Sequence, residues 1–510
     1  MPAPRLALTR TYLAPAPGTA PGGGELPGVA DVAVGVDVHS EETHYDTPDR
    51  ALAAAGVSVR RQTGDGPRGW VLELPGRGPR HHEVRQALGR AVRTAPAALQ
   101  RLTWAAARGR TLGPVLQLTA DARQRDLLDA DGLVVARLTT RTVLARPLVP
   151  EDSAAQEWAE WQVEVVDGRR DLLDAIGEAW AALGAEESDR TQQVRTVLDD
   201  PDPDSDDGDA GAPGGGGAGA LVLGQLADDV ARLLGQDPLV RIDAPDAVQA
   251  MHVATRRLAG VLASFGELFE DAPREHLSTE LAWLTAVLAD ARDVEVLTDR
   301  LLPDLDEEAA GHVAGSGTGD PAVVAEQVRA LLAGRHEAAH AAVVAALDAA
   351  RYRDLVGALE AFVAVPSFTA AARRSVRKSL LPLVADAHKL LKEAYRDLDP
   401  DGDDTPDALD RLRLAATRAR DAAEVLEPAR GDDAADYADA VKQLLDVLAE
   451  QRGSVLAREL LEELVPAAGA GAFVLGRLHG LEEVRAAVAQ HDLDDAWSAA
   501  SAKKLRRWMR

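Results

Sequence analysis

The stretch Ala247–Phe265, AVQAMHVATRRLAGVLASF, sets its apolar residues at three- and four-residue spacing and places two arginines, Arg256 and Arg257, side by side. That period is the signature of an amphipathic helix. The same period recurs over Val222–Leu234, Ala247–Phe269, Ser278–Leu301, Val324–Ala349, Arg373–Leu398, Thr405–Glu427, Ala435–Leu464 and Gly480–Ala489. About eight helices follow, and arginines returning at similar positions suggest a duplicated pair of four-helix bundles.

Upstream the pattern changes. Residues Asp199–Ala220 read DDPDPDSDDGD and then AGAPGGGGAGA. An acidic, Pro-containing run followed by glycines buries too little apolar surface to order itself, so it reads as a tether. Its glycines precede no GK[ST], which excludes a phosphate-binding loop. Before it, short strand-like runs alternate with Gly and Pro: Gly56–Gln62, Gly69–Pro75, Gly113–Thr119, Gly132–Ala145 and Trp158–Val166. These indicate an antiparallel β domain, with helical segments at His82–Thr94 and Asp171–Leu183. The expected fold class is therefore α+β and multidomain. An N-terminal antiparallel β domain (1–198) precedes a linker (199–220) and an all-α domain (221–510).

Composition narrows the chemistry. With 510 residues the chain exceeds one core, and 46% hydrophobic but only 4% aromatic residues imply cores of Ala, Leu and Val. The 0 cysteines exclude disulfides, thiolate metal sites and cysteine nucleophiles. Met1–Gly24 has no sustained apolar run, and no stretch reaches the roughly 18 apolar residues of a membrane helix, so a cytoplasmic protein without a membrane partner is expected. A net charge of −27 disfavours nucleic acid and requires any anion site to be a local basic patch. Arg335–His340, RHEAAH, satisfies H-E-x-x-H and would put His336 and His340 on one helix face, with Glu337 between and Asp348 or Glu360 as third ligand. Such a match arises readily in a helix rich in His, Glu and Ala, and we assign no metal to it.

The helical segments resemble the CHAD family, whose signature helix runs V-H-x-x-R-V-A-x-R-R-L. Val253, Ala254, Arg256, Arg257 and Leu258 match, while Gln249 takes the histidine position and His252 the first arginine. Leu284–Leu297 is similar to a second motif, keeping Arg292 and Asp293, with Ala289 for its glycine. Asp407–Leu426 repeats the theme with Arg411, Arg413, Arg418 and Arg420; Asp410, Thr417 and Asp421 replace a histidine, a lysine and a tyrosine. The resemblance implies binding of inorganic polyphosphate or another phosphate-rich anion, with polyphosphate granules as a matching location. Arginines at helical spacing share a face and bind phosphate oxygens bidentately. Arg374, Lys378, Lys389, Lys392 and Arg396 add a stripe on a helix that Pro382 is expected to kink. The alternative is that these cations are solvated faces paired with the abundant carboxylates.

The strand-rich half resembles the CYTH, or triphosphate tunnel, family over Tyr45–Pro75, YDTPDRALAAAGVSVRRQTGDGPRGWVLELP. The resemblance implies an eight-stranded barrel whose inward arginines and lysines hold triphosphate and whose glutamates hold a divalent metal. Arg60 and Arg61 match the double arginine, Arg80 and Glu83 an R-x-E element, and Arg123 a later tunnel arginine. Ala7, Thr9 and Thr11 stand for two glutamates and a lysine, Glu73 for a lysine and Gln162 for a glutamate; Glu164 is kept, Arg141 lies near a displaced acid, and Gln193 marks the closing lysine. Magnesium needs several hard oxygen ligands, so no catalytic residue is assigned, and no cofactor unless activity persists. The expected role is noncatalytic anion binding or scaffolding. The rivals are a residual triphosphatase using Arg60, Arg61, Arg80 and Glu83, and a protein-interaction module.

Overall fold

The computed structural model describes residues 5–15, 26, 28–65, 68–76, 80–89, 94–149, 154–165, 170–188, 197, 217–310, 320–398 and 406–509. Most of the expected linker, and Gln193, lie outside the described residues. The chain divides into two units, 1–208 with 237–244, and 209–236 with 245–510.

The first unit is built on one antiparallel sheet. Its strands are β1 (Arg5–Leu13), β2 (Asp31–Val32), β3 (Val36–Asp46), β4 (Ser58–Gly64), β5 (Gly69–Pro75), β6 (Arg80–Gln86), β7 (Gly113–Leu128), β8 (Val134–Pro147), β9 (Gln156–Val165) and β10 (Glu186–Ser188). Pairing runs β1-β6-β5-β4-β3-β7-β8-β9, and β9 pairs back onto β1 from Leu8↔Val165 to Leu13↔Glu160, so eight strands close into a ring. The strand β6 corrects the helix expected over His82–Thr94. Val84 and Leu88 sit four apart, as on a helix face, but Arg80–Gln86 pairs with both β5 and β1, and Val84 is buried from the strand's outer face. Sheet pairing overrides local preference there.

Helices cover this sheet on one face. Leu52 of α1 (Ala51–Ala54), Leu99 and Leu102 of α2 (Ala97–Leu102) and Ala107 of α3 (Trp104–Ala107) pack on Tyr45, Val59, Trp70, Leu72 and Val84. Leu172, Leu173, Ile176 and Trp180 of α4 (Arg170–Ala181) pack on Leu8, Tyr12, Leu138, Val163 and Val165. An eight-stranded ring has room inside for side chains and not for these helices, so they lie outside it and the opposite face of every strand looks inward. Part of that inner face is apolar: Leu116, Leu118, Ala120, Val143 and Ala145 cluster with Val197 and Trp158.

The second unit is helical: α5 (Ala218–Arg241, of which residues 237–241 are counted with the first unit), α6 (Ala247–Ser264), α7 (Asp271–Ala310), α8 (Pro321–Asp348), α9 (Ala350–Ala364), α10 (Val376–Arg396), α11 (Pro406–Glu424), α12 (Glu427–Arg430), α13 (Asp432–Leu464) and α14 (Ala472–Ala500). A closing 3-10 turn, Lys503–Met509, buries Trp508 and Met509. Leucines at heptad-like spacing on the 40-residue α7, including Leu277, Leu281, Leu284, Leu288, Leu301 and Leu305, are all buried. Its C-terminal half joins α8, α13 and α14 in one core through Leu301, Leu305, Val328, Leu332, Leu461, Val474 and Leu478. Contacts of α6 with α7 and α11, and of α11 with α10 and α13, assemble the other half. Pro382 lies inside α10, which continues to Arg396.

Candidate anion-binding site

Inside the barrel, cross-strand register decides which side chains meet. Thr43↔Arg61, His44↔Arg60 and Ser58↔Glu73 place His44, Ser58, Arg60 and Glu73 on the inner face and Arg61 on the outer. Arg123 pairs opposite Asp37 and Thr140, also on the outer face, where its guanidinium lies 3.9 Å from the Asp37 carboxylate. Arg80 pairs opposite Leu8 in the backbone ladder; its side chain lies outside the described residues. Of the expected tunnel arginines with described side chains, Arg60 alone looks inward.

Arg60 is 4% exposed and is met by carboxylates on three strands. Its Nη2 donates to Glu73 at 2.6 Å, while Glu42 stands 3.6 Å and Glu83 3.9 Å away. Burial opposes its charge, but Glu73 and Glu42 outweigh that and raise its pKa further. The His44 imidazole lies 3.6 Å from Glu42. A second pair follows the same logic: Glu160, 1% exposed, lies 3.6 Å from Arg141 and accepts from Trp158 Nε1 at 2.7 Å, and Arg141 hydrogen-bonds Gln162. Thr9 and Thr11 pair opposite Glu164 and Gln162 on this inner face. The inner arginines therefore have protein carboxylates where a phosphate would sit. Glu42, His44 and Glu160 were not singled out from sequence, because only the register among distant strands reveals them.

In the helical unit, basic side chains from four helices converge. His252 and Arg256 lie one turn apart on α6, Arg292 comes from α7, Arg413 from α11 and Arg452 from α13; the four arginines all act on the imidazole. Burial first, and then this positive field, depress the His252 pKa to about 4. Arg256 and Arg413 are likewise held below the ordinary arginine range by burial, and Arg256 also by Arg413. Arg256 Nη2 donates to the Thr417 hydroxyl at 2.9 Å, a hydroxyl rather than a carboxylate. Thr417 in turn donates to the Arg413 carbonyl at 2.9 Å. Around the rim, Arg413 meets Asp410 at 2.9 Å, Arg452 meets Asp293 at 3.0 Å and Asp410 at 3.8 Å, and Arg292 meets Glu295 at 3.1 Å. Like charges gathered in a partly buried place with a neutralised histidine among them make this the candidate site of the helical unit. Arg452, which the sequence reading did not single out, carries no motif that sets it apart on α13.

The other expected cations sit elsewhere. Arg257 is neutralised by Glu424 and by Asp229 at 3.2 Å. Arg418 donates to the Ala263 carbonyl at 2.6 Å and so ties α11 to the end of α6. Arg420 holds the buried Asp421 at 2.7 Å; burial pushes that carboxyl up to about 6 against the pull of Arg420. Arg411 is exposed on α11. Arg374, Lys378, Lys389 and Arg396 are exposed at or along α10, with Lys392 half-buried among them; Lys389 lies 3.9 Å from Glu393. His336 and His340 stack with ring centroids 6.1 Å apart on α8. Among the described residues, no group of three or more His, Asp or Glu side chains is placed to hold a metal ion, and no helix is long and apolar enough to cross a membrane.

Two proteins of Mycobacterium tuberculosis strains, both described as uncharacterised, are each 28% identical to this chain over 458 residues, covering 87% of it and 86% of their own length. Among solved structures, PptA from Streptomyces chartreusis is 21% identical with a TM-score of 0.45, covering 55% of this chain and 99% of that one. The CHAD domain from the plant Ricinus communis is 22% identical with a TM-score of 0.44, covering 56% and 92%. Residues 224–462, which contain α6, α7, α11 and all four converging arginines, match the CHAD domain family. The helical unit carries a CHAD domain.

Proposed function

We propose that this protein binds a phosphate-rich polyanion, inorganic polyphosphate being the representative, without chemically transforming it. The observation that carries this reading is the convergence of Arg256, Arg292, Arg413 and Arg452 around His252. An elongated anion with an oxygen-rich surface satisfies several guanidinium groups at once, each through paired hydrogen bonds. It also relieves the mutual repulsion that the rim carboxylates offset only in part.

The barrel contributes structure in this reading. A triphosphate entering it would have to displace Glu73 and Glu42 from Arg60, and would meet Glu83 beyond. Buried carboxylates opposing a polyphosphate at such range cost several kcal/mol each.

The test is polyphosphate binding by the full-length chain. Arg256→Ala combined with Arg413→Ala is expected to weaken binding at least about tenfold, in line with the loss of two charge-assisted contacts. Unchanged affinity in a folded double variant refutes the site. Phosphate release from tripolyphosphate with magnesium or manganese is expected to stay at background. Turnover that disappears in Arg60→Ala would restore the triphosphatase reading.

A further inference from the structure

His252 is surrounded by charge of one sign. Arg256 faces it from its own helix, Arg292 from α7, Arg413 from α11 and Arg452 from α13. The carboxylates nearby answer the arginines: Glu295 meets Arg292, Asp293 and Asp410 meet Arg452, and Asp410 meets Arg413. Asp421 and Arg420 act on Arg256 as well, with opposite sign. Burial first, and then this positive field, disfavour the charged form of the imidazole.

We propose that a phosphate-rich anion entering this site takes a proton with it, carried by His252, so that binding tightens as the solution becomes mildly acidic. This rests on the anion-binding reading above and adds its regulation. Without the anion, burial and the four arginines hold the imidazole at about 4, so it is neutral at pH 7. Bound phosphate oxygens cancel the arginine field and supply an acceptor, which returns the imidazole toward its ordinary value near 6.5. Binding of the proton and of the anion then favour each other by the same factor. If the ordinary value is fully recovered, affinity rises about tenfold between pH 7.5 and 5.5, with close to one proton taken up at the lower pH. The ligand's own titration runs the other way. A phosphate ester group with a second pKa near 6 loses negative charge in acid, so terminal groups behaving similarly would weaken binding there.

Titration calorimetry of the full-length protein with long-chain inorganic polyphosphate tests this, at pH 7.5 and 5.5 in buffers of different ionisation heat. The expected result is about tenfold tighter binding at pH 5.5 with uptake of close to one proton per site. His252→Asn is expected to abolish both the pH dependence and the uptake, and His252→Gln should do the same if the first variant folds poorly. A pH dependence that survives either folded variant overturns the proposal; one that vanishes only in Asp421→Asn overturns it in favour of that carboxyl. Binding that is flat with pH in the native chain overturns this inference alone. No binding at either pH overturns it together with the anion-binding reading.

Discussion

Asp421 on α11 is almost wholly buried. Arg420 pairs with it, yet burial wins and its carboxyl titrates near 6 instead of in the ordinary range. The folded chain therefore holds this proton more tightly than the unfolded chain. Its contribution to stability is full below the ordinary carboxyl range and is lost as the pH rises toward 6, by about 2–3 kcal/mol. Asp421→Asn should remove that slope. The check is the difference in urea unfolding free energy between the two proteins from pH 4 to 7; a constant difference contradicts the assignment. The acid at this position was visible in the sequence, but its burial, its pairing with Arg420 and its nearness to Arg256 were not. The same holds for Arg60. The double arginine marked it, while the carboxylates that neutralise it come from strands whose register no local pattern discloses.

Elements were legible where they carry their own period. Most helices of the second unit announced themselves, and the strands around Gly69–Pro75 and Gly132–Ala145 did too, but α9 (Ala350–Ala364) was not among the segments read from sequence. The strand at Arg80–Gln86 did not, because its partners β1 and β5 make it a strand and its own residues do not. Packing between elements adds demands that periodicity cannot carry, and Gly177 is one. It faces Tyr12 where α4 lies on β1, and a Cβ there would run into the tyrosine hydroxyl. Gly177→Ala is expected to cost about 1–3 kcal/mol through overpacking, despite the better helix propensity of alanine. Combining it with Tyr12→Phe, which deletes the obstructing oxygen, should recover most of that loss relative to Tyr12→Phe alone. Thermal unfolding of the four proteins in the cycle decides the point; additive losses would mean that the hydroxyl is not the obstacle.

For the whole molecule, a net charge of −27 opposes a local cluster of four arginines. A polyanion is repelled at long range and held at short range. Salt screens both effects, but the release of counterions from the bound ligand follows only the cations it touches. Polyphosphate affinity is therefore expected to fall with salt along a log–log slope of about −3, as about four neutralised charges on a single-stranded polyanion would give. A slope near zero, or rising affinity with salt, would show that the overall charge governs instead. The sequence displayed both the acidity and many of the arginines. It could not display which arginines share one place, since α6, α7, α11 and α13 supply one each.

The way the barrel closes bears on the order in which the protein can be made. β1 is translated first, yet the partners that flank it, β6 and β9, emerge much later, and β9 ends only at Val165. Until then the stretch of β1 that pairs with β9, Leu8–Leu13, leaves the ribosome without that partner. The hairpins from β3 to β5 can form earlier from close neighbours, so ring closure is a late, long-loop event. A nascent chain halted before residue 156 would hold a curled sheet with a bare seam, open to strand pairing with another chain.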